Sequence, residues 1–237
     1  MVYLSRNKHR YGLKVDMYRS NVLYVGRDNY FNGSLSLVLS ERKHVVIGND
    51  GLFSFGIWVR TADPHLIYSC DTHKRINPSK NVLIGDHVWI GQGSMILKGS
   101  RISSGSIIGA NSTVSGKLIP SNESWGGAPA KKIAERVFFD KDCVHNWTKK
   151  KTKASQHYES DAWDFTAIEH ESSANHLFEE IDALRSAQER LEYFQSSPAT
   201  MTGKYRFAVR RSNAKSDVRK SKRASLLKRI GKRIKRH

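Results

Sequence analysis

The sequence predicts a mainly β fold, a left-handed parallel β-helix with one ejected loop, followed by an α-helical, basic C-terminal extension. Three observations carry this. Aliphatic residues recur at every sixth position through the middle of the chain. Glycines keep a fixed phase beside them. The regularity stops at Pro120, after which the composition turns acidic and then strongly basic.

The repeat is clearest in NVLIGDHVWIGQGSMILKGSRISSGSIIGANSTVSG, where Ile84, Ile90, Ile96, Ile102, Ile108 and Val114 are each six residues from the last. Gly85, Gly91 and Gly109 directly follow three of them. A helix with 3.6 residues per turn would scatter these positions around its axis. An ordinary strand alternates by two and has no reason to fix a glycine phase. A six-residue period fits a coil of short strands, each turning one aliphatic side chain inward before a glycine-assisted bend. The same phase runs more weakly upstream through Ile47, Phe53 and Val59, and again through Val25, Phe31 and Leu37.

The phase breaks across residues 61–80, TADPHLIYSCDTHKRINPSK, which hold two prolines and many polar side chains. Such an interruption is expected to leave the coil as a loop, and loops of this kind tend to carry function. The chain then divides into a β-helical domain (1–135), an acidic, helical extension (136–197) and a basic tail (198–237). In the extension, Leu177, Ile181, Leu184 and Leu191 share one face of an expected amphipathic helix. Near the end, Leu226, Leu227, Ile230 and Ile234 do the same among Lys and Arg.

Charge follows this division. The chain has 40 Lys+Arg against 22 Asp+Glu, a net charge of +18, yet residues 198–237 alone hold 15 basic residues and one acid. The basic signal is therefore a tail on a nearly neutral body. Cys70 and Cys143 have no partner spacing, so neither a disulfide framework nor a metal motif is expected. The first residues lack an apolar stretch fit for a secretory signal. No segment approaches the ~18 apolar residues of a membrane span. A cytoplasmic location is the default expectation, with a peripheral seat at the inner face of the membrane left open by the tail.

The repeat resembles that of the hexapeptide-repeat acyltransferases. Combined with ADPHLIY, RINP, GDHVWIG and GGAPAKKI, it is similar to their sugar O-acetyltransferase branch, above all to the enzymes that acetylate sialic-acid-containing bacterial capsules. The likeness covers roughly residues 45–135 and says nothing of the extension. It implies a homotrimer, acetyl-coenzyme A as acetyl donor, no metal, and a sugar hydroxyl as acceptor.

A sugar hydroxyl is a poor nucleophile, so a base must take its proton as it attacks the thioester. Histidine, with an ordinary pKa near 6.5, accepts and returns a proton around neutral pH. In the resembling family the histidine of the D-x-H element is the catalytic base, which is His65 here. Asp63 would orient its ring. The tryptophan of HVWIG, also important there, is Trp89. The resemblance runs the pantetheine arm between coils of neighbouring subunits, past the small residues Gly91, Gly109 and Ala110, whose backbone amides are candidate donors. It closes the turn with Ala128 over the adenine end, with Lys131 and Lys132 near the phosphates. Trp125 either stacks on adenine or packs on the neighbouring coil. For an acidic polysaccharide acceptor, Arg60, Tyr68, Arg75 and Asn77 lie close to His65 in sequence, and an arginine can grip a carboxylate with two hydrogen bonds. His87 is either a further acceptor contact or a packing residue.

Two other functions compete. A zinc hydrolyase on the same fold would need three converging imidazoles; His65, His73 and His87 are the available ones, and their spacing does not resemble that family's. A nucleic-acid or polyanion binder could act through the tail by charge alone, but the tail has only two aromatics, Tyr205 and Phe207, for stacking on bases. No specific nucleic-acid motif is present. The tail helix near 219–236 is instead expected to contact anionic lipid or an acidic polymer.

Overall fold

The computed structural model describes residues 1–166, 174–196 and 205–209. Within them the chain winds as a parallel β coil with three flat faces, taken in the same order on successive turns, the first turn having no strand on the second face. The first face stacks Val2–Leu4, Leu23–Val25, Val45–Ile47, Val82–Ile84, Arg101–Ile102 and Leu118–Ile119. The second stacks Tyr30–Phe31, Leu52–Phe53, Trp89–Ile90, Ile107–Ile108 and Glu123–Gly126, with Lys131–Glu135 added antiparallel at its end. The third stacks Leu13–Met17, Leu35–Leu39, Trp58–Arg60, Met95–Leu97 and Thr113–Ser115.

The six-residue phase accounts for this arrangement. Each short strand turns one side chain inward, the longer ones such as Leu35–Leu39 turn in every second one, and inward positions on adjacent turns pair in register. Val25, Ile47, Ile84, Ile102 and Ile119 form one ladder. Phe31, Phe53, Ile90, Ile108 and Trp125 form the second. Val15, Leu37, Val59, Ile96 and Val114 form the third. Apart from the end members these side chains are fully buried, and they make up the main core. The glycines serve close stacking more than bending: a Cβ on Gly85 would lie 2.6 Å from the Ser104 nitrogen of the next turn. Serines at the corners supply hydrogen bonds that the stacked turns leave open, as where Ser94 donates to the Gly109 carbonyl at 2.9 Å and Ser106 to that of Pro120 at 2.8 Å.

One corner is larger than the repeat requires. Between the third and first faces, Val15 to Val25 and Leu37 to Ile47 are each ten residues apart, whereas Ile96 to Ile102 is six. The expected loop, 61–80, leaves from this same corner.

The first face is apolar on its outside as well. Val22, Tyr24, Val46 and Leu83 face outward and are buried by α2 (Ala174–Ala183) and α3 (Ala187–Ser196) through Leu177, Phe178, Ile181 and Phe194. The single amphipathic helix expected over Leu177–Leu191 is thus two helices broken at 184–186, with Phe194 buried where Leu191 was expected.

Residues 205–209, read from sequence as basic tail, belong to this cover. Phe207 is buried in the same cluster, and the Phe207 and Val209 carbonyls accept from the Ser104 and Ser121 amides at 3.0 and 2.8 Å. The buried Arg206 guanidinium holds the Asp86 carboxylate with two contacts of 2.6 and 2.9 Å. The helix expected at 219–236, with Leu226, Leu227, Ile230 and Ile234, lies outside the described residues.

A carboxylate stripped of its buried partner is costly, about 3 kcal/mol or more. Arg206→Ala is therefore expected to lower the urea midpoint of unfolding markedly, although residue 206 lies far from the coil in sequence. A midpoint unchanged from the parent would show that 205–209 contribute nothing to the fold.

Candidate active site

Loop 61–80 is ordered by its own backbone and by two neighbouring turns of the coil. Its outer half is a short hairpin: Tyr68 bridges Arg75, and the Ile76 and Ser69 amides donate to the Ile67 and Lys74 carbonyls, both at 2.9 Å. Asn77 is buried at its base. Its Oδ1 accepts from the Ile67 amide at 2.9 Å, and its Nδ2 donates to the His65 carbonyl at 2.8 Å and to Asp63 Oδ2 at 3.0 Å.

From the following turn, Lys98 reaches Asp63 at 2.5 Å and the Asn77 carbonyl at 3.1 Å. The hydrogen bond from Lys98, helped by that from Asn77 and opposed by slight desolvation, holds the Asp63 carboxyl below its ordinary pKa. From the preceding turn, Glu41 receives both Arg75 guanidinium nitrogens at 2.6 and 2.9 Å and the Ser79 hydroxyl. The hydrogen bond from Arg75, followed by that from Ser79, lowers Glu41 to about 2.

His65 thus has a fixed backbone and an exposed ring at the loop surface. Asp63, expected to orient that ring, is instead engaged by Lys98 and Asn77. Two acceptor candidates also prove to be structural: Arg75 spends its fork on Glu41, and Asn77 staples the loop. Tyr68 is exposed on the hairpin. Arg60 lies over the Trp58 ring, 4.9 Å from its centroid. It lines a cleft of about 1110 Å³ at the enlarged corner, together with Arg19, Arg42 and Lys43 and the loop roots Pro64 and Pro78. Sequence reasoning missed Arg19, Glu41, Arg42, Lys43 and Lys98. The ten-residue steps at this corner were the signal available for the first four.

Trp89 stands on the second face, 37% exposed, its ring 5.8 Å from that of Phe139. That face lies opposite the corner from which the loop emerges, so one chain does not bring His65 and Trp89 together.

His87 is a packing residue and not an acceptor contact. It is buried, with Phe139 stacked at 4.1 Å on its ring and Trp163 at 3.6 Å. Its Nδ1 meets Asp50 at 2.7 Å and its Nε2 donates to the Phe139 carbonyl at 3.0 Å, so neither nitrogen is available to a substrate. Burial alone would raise Asp50, but the hydrogen bonds from His87 and Lys141 outweigh it and hold its carboxyl below the usual value.

The expected coenzyme residues separate into two places. Gly91, Gly109 and Ala110 lie at the corner between the second and third faces. The Gly91 and Gly109 amides already donate to the Ile108 and Trp125 carbonyls at 2.7 and 2.8 Å, so they are not free donors as expected. Ala110 is exposed there. Trp125 continues the inward ladder beneath Ile108, which resolves its two readings in favour of packing; its Nε1 donates to Glu123 at 2.7 Å and Lys117 lies 5.4 Å from its ring centroid. Ala128 sits in the exposed turn of the terminal hairpin, Lys131 is exposed, and Lys132 pairs with Glu135 at 2.5 Å. Among the described residues no three His, Cys, Asp or Glu side chains converge in a way that would hold a metal ion.

The coil geometry has a counterpart among known proteins. Residues 81–116 match the family model of the bacterial transferase hexapeptide (six repeats). That stretch of the coil carries the hexapeptide repeat. A 57-residue stretch, 24% of the chain, is 39% identical to the polysialic acid O-acetyltransferase of Neisseria meningitidis, and the match spans 26% of that relative's length. Among solved structures, the polysialic acid O-acetyltransferase OatWY superimposes with a TM-score of 0.51 at 25% identity, over 66% of this chain and 74% of that one. The polySia-specific acetyltransferase NeuO aligns over 65% of this chain and 96% of that one, with a TM-score of 0.41 and 22% identity. The chain shares its coil fold with OatWY.

Asn77→Ala removes four loop hydrogen bonds, to Ile67, Asp63, His65 and Arg75, each worth about 1 kcal/mol. Proteolytic cleavage within 61–80 is expected to become about tenfold faster or more, while the core melts as in the parent. The Glu41 clamp has a different signature. Because its folded pKa is depressed, its contribution is complete above the ordinary value of 4.5 and is lost as pH falls towards about 2. Protection of the loop should therefore persist from neutral pH to about pH 4; loss of protection already near pH 6 would contradict the Glu41 assignment.

Proposed function

We propose that this chain is an O-acetyltransferase that moves an acetyl group from acetyl-coenzyme A to a hydroxyl of a bacterial surface sugar, a capsular polysaccharide. The observation that carries the reading is the exposed imidazole of His65, held on a stapled loop beside a cationic cleft of a hexapeptide coil. The relatives named polysialic acid O-acetyltransferases support the reaction class. The left-handed winding of the coil belongs to the same reading.

In this mechanism the His65 imidazole takes the proton of the acceptor hydroxyl as its oxygen attacks the thioester carbon. The proton then passes from His65 to the departing thiolate, so base and acid roles alternate on one group and the histidine ends neutral. No acyl-enzyme forms, because Cys70 and Cys143 are free and exposed and neither sits in a nucleophile motif. Backbone donors for the developing oxyanion are drawn from the loop and from Ala110, since the Gly91 and Gly109 amides are engaged.

The reading requires a second copy. His65 and Trp89 belong to opposite sides of one coil, and a homotrimer would let the loop of one copy approach the second face of the next. The first face is covered by the chain's own α2, α3 and Phe207, which leaves the second and third faces for such contacts. Met95, Tyr30 and Trp89 stand exposed on them. A cytoplasmic enzyme, seated at the inner membrane face through 219–236, is the corresponding reading of location.

His65→Ala is expected to lower turnover by about 10²-fold or more, while coenzyme A binding measured by calorimetry changes little. Combined Cys70→Ala and Cys143→Ala replacement should leave turnover largely intact. Near-parental turnover in His65→Ala, or an acetylated enzyme that passes its acetyl group to acceptor, would overturn the mechanism.

A further inference from the structure

The enlarged corner holds more than the loop. Arg19 comes from the first wide turn, Arg42 and Lys43 from the second, Lys80 from the foot of the loop, and Arg101 from the turn below. The cleft of about 1110 Å³ holds the first three, and a second of about 480 Å³ holds Lys43, Lys80 and Arg101. Both are lined by Lys43 and Ser79, so they form one groove along the stacking direction. Stacked strands lie about 4.8 Å apart, so Arg19 and Arg101, three turns apart, are separated by about 14 Å along the groove.

The balance of charge in the groove is positive. Of its acids, Glu41 is held by Arg75 and Ser79. Asp182, from α2, accepts from His44 Nε2 at 2.8 Å, while His44 Nδ1 accepts from the Val22 amide. Among the described residues, no ion pair engages Arg19, Arg42, Lys43 or Lys80. Lys80 lies along the next turn, its stem 3.0 Å from where a Cβ of Gly99 would be.

We propose that this groove is a binding track for a linear carboxylated polysaccharide, which runs parallel to the coil axis across the foot of the His65 loop. Several features select this occupant. The larger cleft exceeds the roughly 300–1,000 Å³ that a drug-sized ligand occupies, so it suits several linked sugar units. A concave groove admits a thread and does not fit the flat surface of a bilayer. Its exposed aromatic is Tyr18 alone, which gives no row of platforms for stacked bases. Cations repeated turn by turn match carboxylates repeated along a polymer. The track deepens the acetyl-transfer reading by giving the acceptor a course past His65, and its role as acceptor site rests on that reading. It also moves polyanion binding onto the coil, in addition to the tail.

The test is equilibrium binding of fluorescent polygalacturonate to the full-length chain, with no acetyl donor present. The combined variant Arg42→Gln, Lys43→Gln, Lys80→Gln should bind about tenfold more weakly or worse, and the parent's affinity should fall as salt rises. Removing the same charge from α1 (Lys149–Ala154), through Lys149→Gln, Lys150→Gln and Lys153→Gln, should change binding less than about twofold. Lys80→Glu alone, on an exposed side chain, provides a second reading should the triple variant fold poorly. The proposal fails if the groove variants bind like the parent or the α1 variant loses as much. It fails equally if neutral dextran, oligodeoxythymidine or anionic vesicles compete as well as polygalacturonate does. Because no transfer is measured, absence of acetyltransferase activity would overturn the acetyl-transfer reading and leave this binding result standing.

Discussion

Adjacent turns of the coil approach so closely that a Cβ on Gly26, Gly48 or Gly85 would lie within 2.3–2.6 Å of the next turn. Faces must then be short and flat, with one side chain in and its neighbours out, and any departure from the repeat is forced to a corner. The chain departs repeatedly at one corner, between the third and first faces. Two ten-residue steps and the ejected loop stack there on successive turns. The loop can consequently be tied from both sides, by Glu41 of the turn before and by Lys98 of the turn after. Close stacking of the faces and the fixed position of His65 are two results of the same spacing.

The same constraint explains the extension. A face that is apolar on both sides cannot be left in water. Leu23–Val25, Val45–Ile47 and Val82–Ile84 are buried through and through. Their outer side needs α2, α3 and Phe207, and the Arg206–Asp86 pair fixes the last of these against the coil. Covering the first face withdraws it from contact with other chains. The extension is thereby part of the architecture of the coil, and through Asp182 it also lines the groove.

Much of the coil was legible because the inward position tolerates only apolar side chains, so that Ile84 to Val114 print their period directly. Even the weaker run Val25, Phe31, Leu37 stacks where its phase indicated. The cover was less legible, although the unbroken apolar runs VVI and VLI, lacking the alternation of a half-exposed strand, were the available sign. Side-chain roles within the loop were not readable, because partners arrive from other turns. Nothing local shows that Arg75 meets Glu41 or that Asp63 meets Lys98. His87 illustrates the same point, since its sandwich is completed by Phe139 and Trp163, far along the chain. Trp125 could have been assigned to the core, as it stands seventeen residues after Ile108, close to one full turn. Arg206, one cation among many in a basic stretch, offered no distinguishing mark.

The location of Phe207 has a consequence for how the protein is made. A parallel coil can add turns in order as the chain emerges, each new strand pairing with the one before. Its first face is different: Val22, Tyr24 and Val46 are in place early, whereas α2, α3 and Phe207, which seal them, follow only after the whole coil. At roughly 5–20 residues per second, about 10–40 s separate the emergence of Val22 from that of Phe207. Until α2 and α3 emerge in the later part of that interval, the nascent coil carries a naked apolar stripe along this face. The growing chain is therefore most prone to sticking to its neighbours when the coil is already built and its cover is still within the ribosome.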